Sequence, residues 1–140
     1  MNESFDPPIA APAFRAGKGP TVVVDEKHRN VVSLKTYFGP VGRFLGKDGY
    51  NVRSGTGAFA TEGLAKARVL VIANAQAADG PSAAGKPIVL AFSHGKGRVV
   101  VIGDAGIASA FGSRGGATHR GISEADNALF VRNVVRWLAK

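Results

Sequence analysis

A chain of 140 residues, 45% hydrophobic and 20% charged, has room for one domain with a real core and not for two. It contains no cysteine, which excludes disulfides, Cys-ligated metal centres and a Cys nucleophile, and no apolar run approaches the roughly 18 residues of a membrane span. The net charge of +8 raises the question of nucleic acid, yet the basic residues are scattered from Arg43 to Lys140 with few aromatics among them to stack bases. They read as a solvated basic surface with weak, nonspecific attraction to polyanions.

The first twenty residues, MNESFDPPIAAPAFRAGKGP, carry early acids and paired prolines and lack the basic start and apolar stretch of a signal peptide. The expectation is a soluble chain, cytoplasmic by default or the mature part of an exported protein. Residues 1–20 have no period and predict an irregular arm, lying on the domain or free of it. Residues 21–140 form the single domain. TVVVDE (21–26) is a continuous β-branched run, the pattern of a strand buried on both faces. In residues 36–49, Phe38, Val41, Phe44 and Leu45 recur at helical spacing. Pro40 suits the first turn of that helix, and Gly49 suits a left-handed position after its end. YNVRS (50–54) alternates and predicts a strand nearer an edge. Thr61 is placed to cap a short helix through Leu64 and Ala67, and RVLVIAN (68–74) predicts a third strand. Strand, helix, strand, helix, strand implies a parallel sheet with right-handed crossovers.

The pattern then changes. Residues 75–87, AQAADGPSAAGKP, are small and low in complexity and predict a flexible loop. IVLAFSHGKGRVVVIGDA (88–105) holds two apolar runs around SHGKG, an antiparallel hairpin. A glycine-rich loop follows over 106–121. Ser123 with Asp126 resembles a capping box at the start of a last helix. Phe130, Val131, Val134, Trp137 and Leu138 make one apolar face of that helix, which should cover one face of the sheet. The expected architecture is an α/β sandwich of three layers, flavodoxin-like, with three parallel strands at its centre and the hairpin strands added to one side.

Four pieces in order carry a resemblance: GKGPTVVVDEKHRN (17–30), YFGPVGRFLGKDGYNVRSGTGAFATEGLAKARVLVIANA (37–75), HGKGRVVVIGDAGIASA (94–110) and NALFVRNVVRWLA (127–139). Together they resemble a bacterial family of unknown function in the class I glutamine amidotransferase-like superfamily. Its relatives include the amidotransferase-like domains of gliding-motility and intraflagellar-transport proteins. Family members carry a long central segment between the Ala-Asn-Ala strand and the Gly-Lys-Gly-Arg hairpin, where this chain has only residues 75–87. The resemblance thus implies a shortened amidotransferase-like domain. It also implies a binding role, toward carbohydrate or an envelope component, and an acidic residue at the position of Asp104.

In open α/β sheets, ligands gather at the carboxyl ends of the parallel strands. Asp25, Glu26, His28 and Asn30 follow the first strand here, and Asn74 follows the third. Asp104 ends the hairpin, and Asn127 lies on the apolar side of the last helix, where it can point back toward Asp104. On an extended backbone Glu26, His28 and Asn30 share one side and Asp25 faces the other. A carboxylate beside His28 can orient a general base, or the pair can offer two ligands to a divalent metal; no other cofactor is expected. The plainer alternative is that Asp25 and Glu26 accept bonds from loop amides, and that Asn74 and Asn127 satisfy buried backbone groups. His94 belongs to a hairpin loop and His119 to the glycine-rich one. SGTGAFATEG and GSRGGATHRG lack the Walker pattern and read as turns. Ser93 and His94 lack the frame of a nucleophile elbow. Without cysteine, glutaminase chemistry is excluded.

Three functional classes follow. The first is a non-catalytic domain binding a small-molecule or protein ligand. The second is a hydrolase-type enzyme using Asp25, Glu26 and His28, with Asp104 assisting. The third, supported by charge alone, is a nucleic-acid binder.

Overall fold

A computed structural model describes residues 5–27, 32–57, 67–73, 89–94, 97–102, 105–109, 121–123 and 126–140. The elements in chain order are β1 (Thr21–Asp25), α1 (Gly39–Lys47), β2 (Asn51–Gly55), β3 (Val69–Val71), β4 (Val89–His94), β5 (Gly97–Ile102) and α2 (Asn127–Leu138), with 3-10 turns at Ala105–Ala108 and Gly121–Ser123. The fold is α/β, as the sequence pattern requires. A parallel sheet of order β2-β1-β3 stands beside an antiparallel hairpin.

The β-branched run of β1 takes the central place, with Val22 opposite Val52 of β2 and Val69 of β3. That register puts Val22, Val24, Val52, Val69 and Val71 on one face, because side chains alternate along a strand. Val41 and Leu45 of α1 and Val131 and Val135 of α2 are buried in the same cluster. Burial of this face, at about 25 cal/mol per Å² of apolar surface, is the main term holding the two helices to the sheet. Among the described residues the alternating strand β2 lies at an edge, as its pattern predicts. The helix expected over 61–67 and the loop expected over 75–87 fall outside the described residues, apart from Ala67.

Helix α1 carries Pro40 in its first turn, where the missing N–H costs no helical bond. Helix α2 starts later than the capping-box pattern predicts: Asp126, not Ser123, precedes its first turn, and it makes no side-chain cap bond. The reason lies upstream. Ile122 is fully buried, and its N–H donates to the Ser109 carbonyl at 2.8 Å. That commits Gly121–Ser123 to a turn of its own.

The hairpin pairs Val89 with Ile102 through to His94 with Gly97. Among the described residues no ladder joins it to β3, so its strands form a second sheet rather than extending the first. It is fastened to α2 instead. The Arg98 guanidinium donates to the Trp137 carbonyl at 2.8 Å and lies 5.4 Å from the Trp137 ring centre, a cation–π distance.

The arm lies on the domain. Phe14 N–H donates to the Asp48 carbonyl at 3.2 Å, and Gly19 N–H donates to the Gly49 carbonyl at 2.8 Å. The Phe14 ring meets Tyr50 edge-on at 5.2 Å, and Phe5 meets Phe44 at 6.0 Å. Lys47 pairs with Asp6.

Beneath the arm, Asp48 is 0% exposed. It caps the carboxyl end of α1, where a negative charge opposes the helix dipole, so both the dipole and burial act against it. Two arginines of α2 offset this. Arg136 donates from Nε to Oδ2 at 2.9 Å and from Nη2 to Oδ1 at 2.6 Å. Arg132 Nε reaches Oδ1 at 3.2 Å, and Ala13 N–H reaches it at 3.0 Å. Both arginines also donate to the Ala11 carbonyl, at 2.5 and 3.0 Å. Arg132 and Arg136 are therefore structural cations, not part of a solvated surface.

Burial pushes the Asp48 carboxyl upward, but the Arg136 bonds, the Ala13 amide and the two positive charges outweigh it and hold the group below its ordinary value. The group favours the folded state above its unfolded pKa of about 3.9, and this contribution is lost as pH falls through the lower folded value. Unfolding midpoints measured in urea should hence fall steeply below about pH 4, and Asp48→Asn should flatten that acid limb.

Candidate functional site

The carboxyl ends of the parallel strands are the first place to look. Asp25 closes β1 and is 1% exposed, with Oδ1 accepting the Lys27 N–H at 3.2 Å. Glu26 continues the strand direction, its own N–H donating to the Gly55 carbonyl at 2.9 Å. Its Oε1 accepts Leu34 N–H at 2.7 Å and the Ser54 hydroxyl at 2.9 Å. It thus ties the segment entering α1 to the end of β2. Ser33 and Thr36 complete that turn, Ser33 N–H donating to Thr36 Oγ1 at 3.0 Å.

The two described acids of the predicted cluster therefore sit at the carboxyl end of β1, and each accepts a bond from a nearby backbone amide. Asn127 is half-buried, and its Nδ2 donates to the Gly121 carbonyl at 2.8 Å. His28, Asn30, Asn74 and Asp104 lie outside the described residues. Among the described residues no three His, Asp or Glu side chains gather as metal ligands. Glu26→Ala removes the acceptor for the part-buried Leu34 N–H and the exposed Ser54 hydroxyl, and a loss of about 1 kcal/mol is expected, since water can reach the exposed donor. Thermal unfolding of the variant beside wild type measures it.

A second region was not anticipated. A groove runs between β3 and β5, floored by α2. Its two halves share Leu70, Val100 and Leu138. One half, about 150 Å³, reaches under the sheet into the core, where Val24 of β1, Val52 of β2, Val41 and Leu45 of α1 and Val135 of α2 line it together with Val71 and Ile102. The other half, about 450 Å³, is lined by Arg68, Val69, Gly97, Arg98, Val99 and Lys140. The first residues of both strands line the basic half and their last residues line the apolar half, so β3 and β5 run in the same direction. The arginines are placed by the end of α2. Arg68 donates to the Ala139 carbonyl at 3.3 Å and to a main-chain carboxylate oxygen of Lys140 at 2.9 Å, and Arg98 holds the Trp137 carbonyl as described. Cations at a helix carboxyl end are favoured by its dipole.

Sequence reasoning missed both Asp48 and this groove. For Asp48 a signal existed: an acid directly after the last turn of a helix needs a cation from elsewhere. For the groove, Arg68 and Arg98 open two β-branched runs, but their approach depends on how the hairpin packs.

Comparison with known protein families, curated proteins and solved structures finds no match to this chain. Among the described residues no helix is long and apolar enough to cross a membrane.

Proposed function

We propose that the chain is a non-catalytic, protein-binding domain of amidotransferase-like type, and that the groove between β3 and β5 is its binding surface. The observation that carries this reading is the groove's polarity: apolar side chains line one half, and Arg68, Arg98 and Lys140 stand at the other. A concave apolar surface with a few charged groups at one end suits recognition of a ligand with the same division. The bonds of Asp25 and Glu26 to backbone amides support the same reading, since these carboxylates already have a part in folding.

The test is selection of random displayed peptides on the purified chain, with an Arg68→Glu/Arg98→Glu variant as counter-target. Peptides that hold the wild type with Kd near 10 µM, a net ~7 kcal/mol, and lose the variant support the proposal. Failure to enrich any peptide overturns it. Turnover of ester or glycoside substrates that disappears in Asp25→Asn would replace it with the hydrolase reading. Salt-sensitive retention of DNA would replace it with the polyanion reading.

A further inference from the structure

Strand β3 pairs with β1 along one edge, and β5 pairs with β4 along one edge. Among the described residues the opposite edge of each carries no ladder, and these two open edges flank the groove. An open edge presents a row of N–H and C=O groups that pairs readily with another chain. Two such edges, running in the same direction across one cavity, make a slot for a strand.

We infer that the groove takes an extended peptide of a partner protein as an added strand between β3 and β5. The peptide runs parallel to both, with an acidic residue at its N-terminal end. This rests on the protein-binding reading above and specifies its mode.

The chemistry selects a peptide over a lipid. An acyl chain with a carboxylate would match the polarity of the groove but would leave both rows of backbone donors and acceptors without partners. Peptide recognition at a sheet edge satisfies them through main-chain bonds. The charge selects the acidic end. Arg68 spends Nε on the Ala139 carbonyl and Nη2 on a Lys140 carboxylate oxygen, and Arg98 spends Nη1 on the Trp137 carbonyl. Each guanidinium has five N–H donors, more than these bonds use, and among the described residues no Asp or Glu side chain lines that half of the groove. A parallel strand enters at the first residues of β3 and β5, which places its N-terminal residue beside these arginines.

The experiment uses the whole chain, 15N-labelled, and a blocked peptide Glu-Val-Thr-Val-Thr beside its Lys-Val-Thr-Val-Thr counterpart. Shifts and slowed exchange are expected at the amides of Val69 and Val71, which alternate with Arg68, whose N–H donates to Thr21 of β1, and at that of Val100, which alternates with the residues of β5 in phase with the hairpin's closing pair. The Glu peptide should bind about tenfold more tightly than the Lys peptide, as charge complementarity at an interface rim permits. Arg98→Glu should reverse the preference. The comparison of the two peptides needs no variant and stands if Arg98→Glu fails to fold.

Slow exchange of these amides in the chain alone would mean that another part of the chain fills the slot, and it overturns the inference. Displacement by decanoate without peptide binding would assign the groove to a lipid and overturn it as well. Peptide binding with shifts confined to the ends of β1 and β2 overturns the strand mode while leaving the protein-binding reading intact.

Discussion

Replacing Asp48 with alanine should lower the unfolding free energy by about 3–5 kcal/mol, the cost of breaking a buried ion pair by removing one partner. The carboxylate is wholly buried, while the Arg132 and Arg136 side chains are 17% and 31% exposed. The lower part of the range is the better expectation, since partial exposure lets water solvate the stranded guanidinium groups. For a chain of this size the midpoint of thermal unfolding should fall by roughly 10 °C or more. The arm responds too. Asp48 Oδ1 accepts from Ala13 N–H, and the arginines it orients hold the Ala11 carbonyl. Trypsin should cut the variant after Arg15 and Lys18 well before wild type, because local opening of the arm no longer breaks this cluster. Asp48→Asn should cost less, since one acceptor oxygen remains. A variant with unchanged melting and unchanged cleavage would remove Asp48 from this role.

The fold was legible where one residue type dominates a short window. The valines of 22–24 specify a central strand. The alternation of 50–54 specifies an edge, and the spacing of Phe38, Val41 and Leu45 specifies α1 and its buried side. These signals are local, and tertiary packing agrees with them. The start of α2 was misread because a local capping pattern at Ser123 yields to a tertiary demand, the burial of Ile122 against the 105–109 turn. The placement of the hairpin was not legible either, because strand runs do not encode which edge they meet.

The strand-end site was legible as a place but not as a chemistry. The sequence puts Asp25 and Glu26 at the mouth of the sheet. Whether a carboxylate there faces a substrate or a backbone amide depends on the segment entering α1, which brings Leu34 N–H to Glu26. Asp48 was harder still. Its partners lie 84 and 88 residues away, and although the i, i+4 spacing puts Arg132 and Arg136 on one face of the last helix, nothing in that helix says which acid they meet.

Gly49→Ala should be the other strongly damaging change, and it acts on the same arm. Gly49 has φ +94, a backbone conformation that a Cβ disfavours by about 1 kcal/mol or more. A methyl group there would also meet the Phe14 carbonyl and lie 2.7 Å from the Phe14 carbonyl carbon and 2.8 Å from its Cβ. The arm must then move, which breaks the Phe14 bond to the Asp48 carbonyl and separates the Phe14 ring from Tyr50. The summed loss should approach that of Asp48→Ala, about 3 kcal/mol. The two effects overlap, because each releases the same segment. In a double-mutant cycle the pair should fall short of the sum of the singles by about 1 kcal/mol or more. A chain lacking residues 1–16 separates the terms: without Phe14 the methyl group has no carbonyl to meet, and Gly49→Ala should cost only its backbone strain. Full additivity in the intact chain, or an undiminished cost in the shortened one, would show that Gly49 acts through something other than the docked arm. The predicted outcome makes the arm an integral part of the fold, held by a glycine that lets it approach and by an acid that fixes it to the last helix.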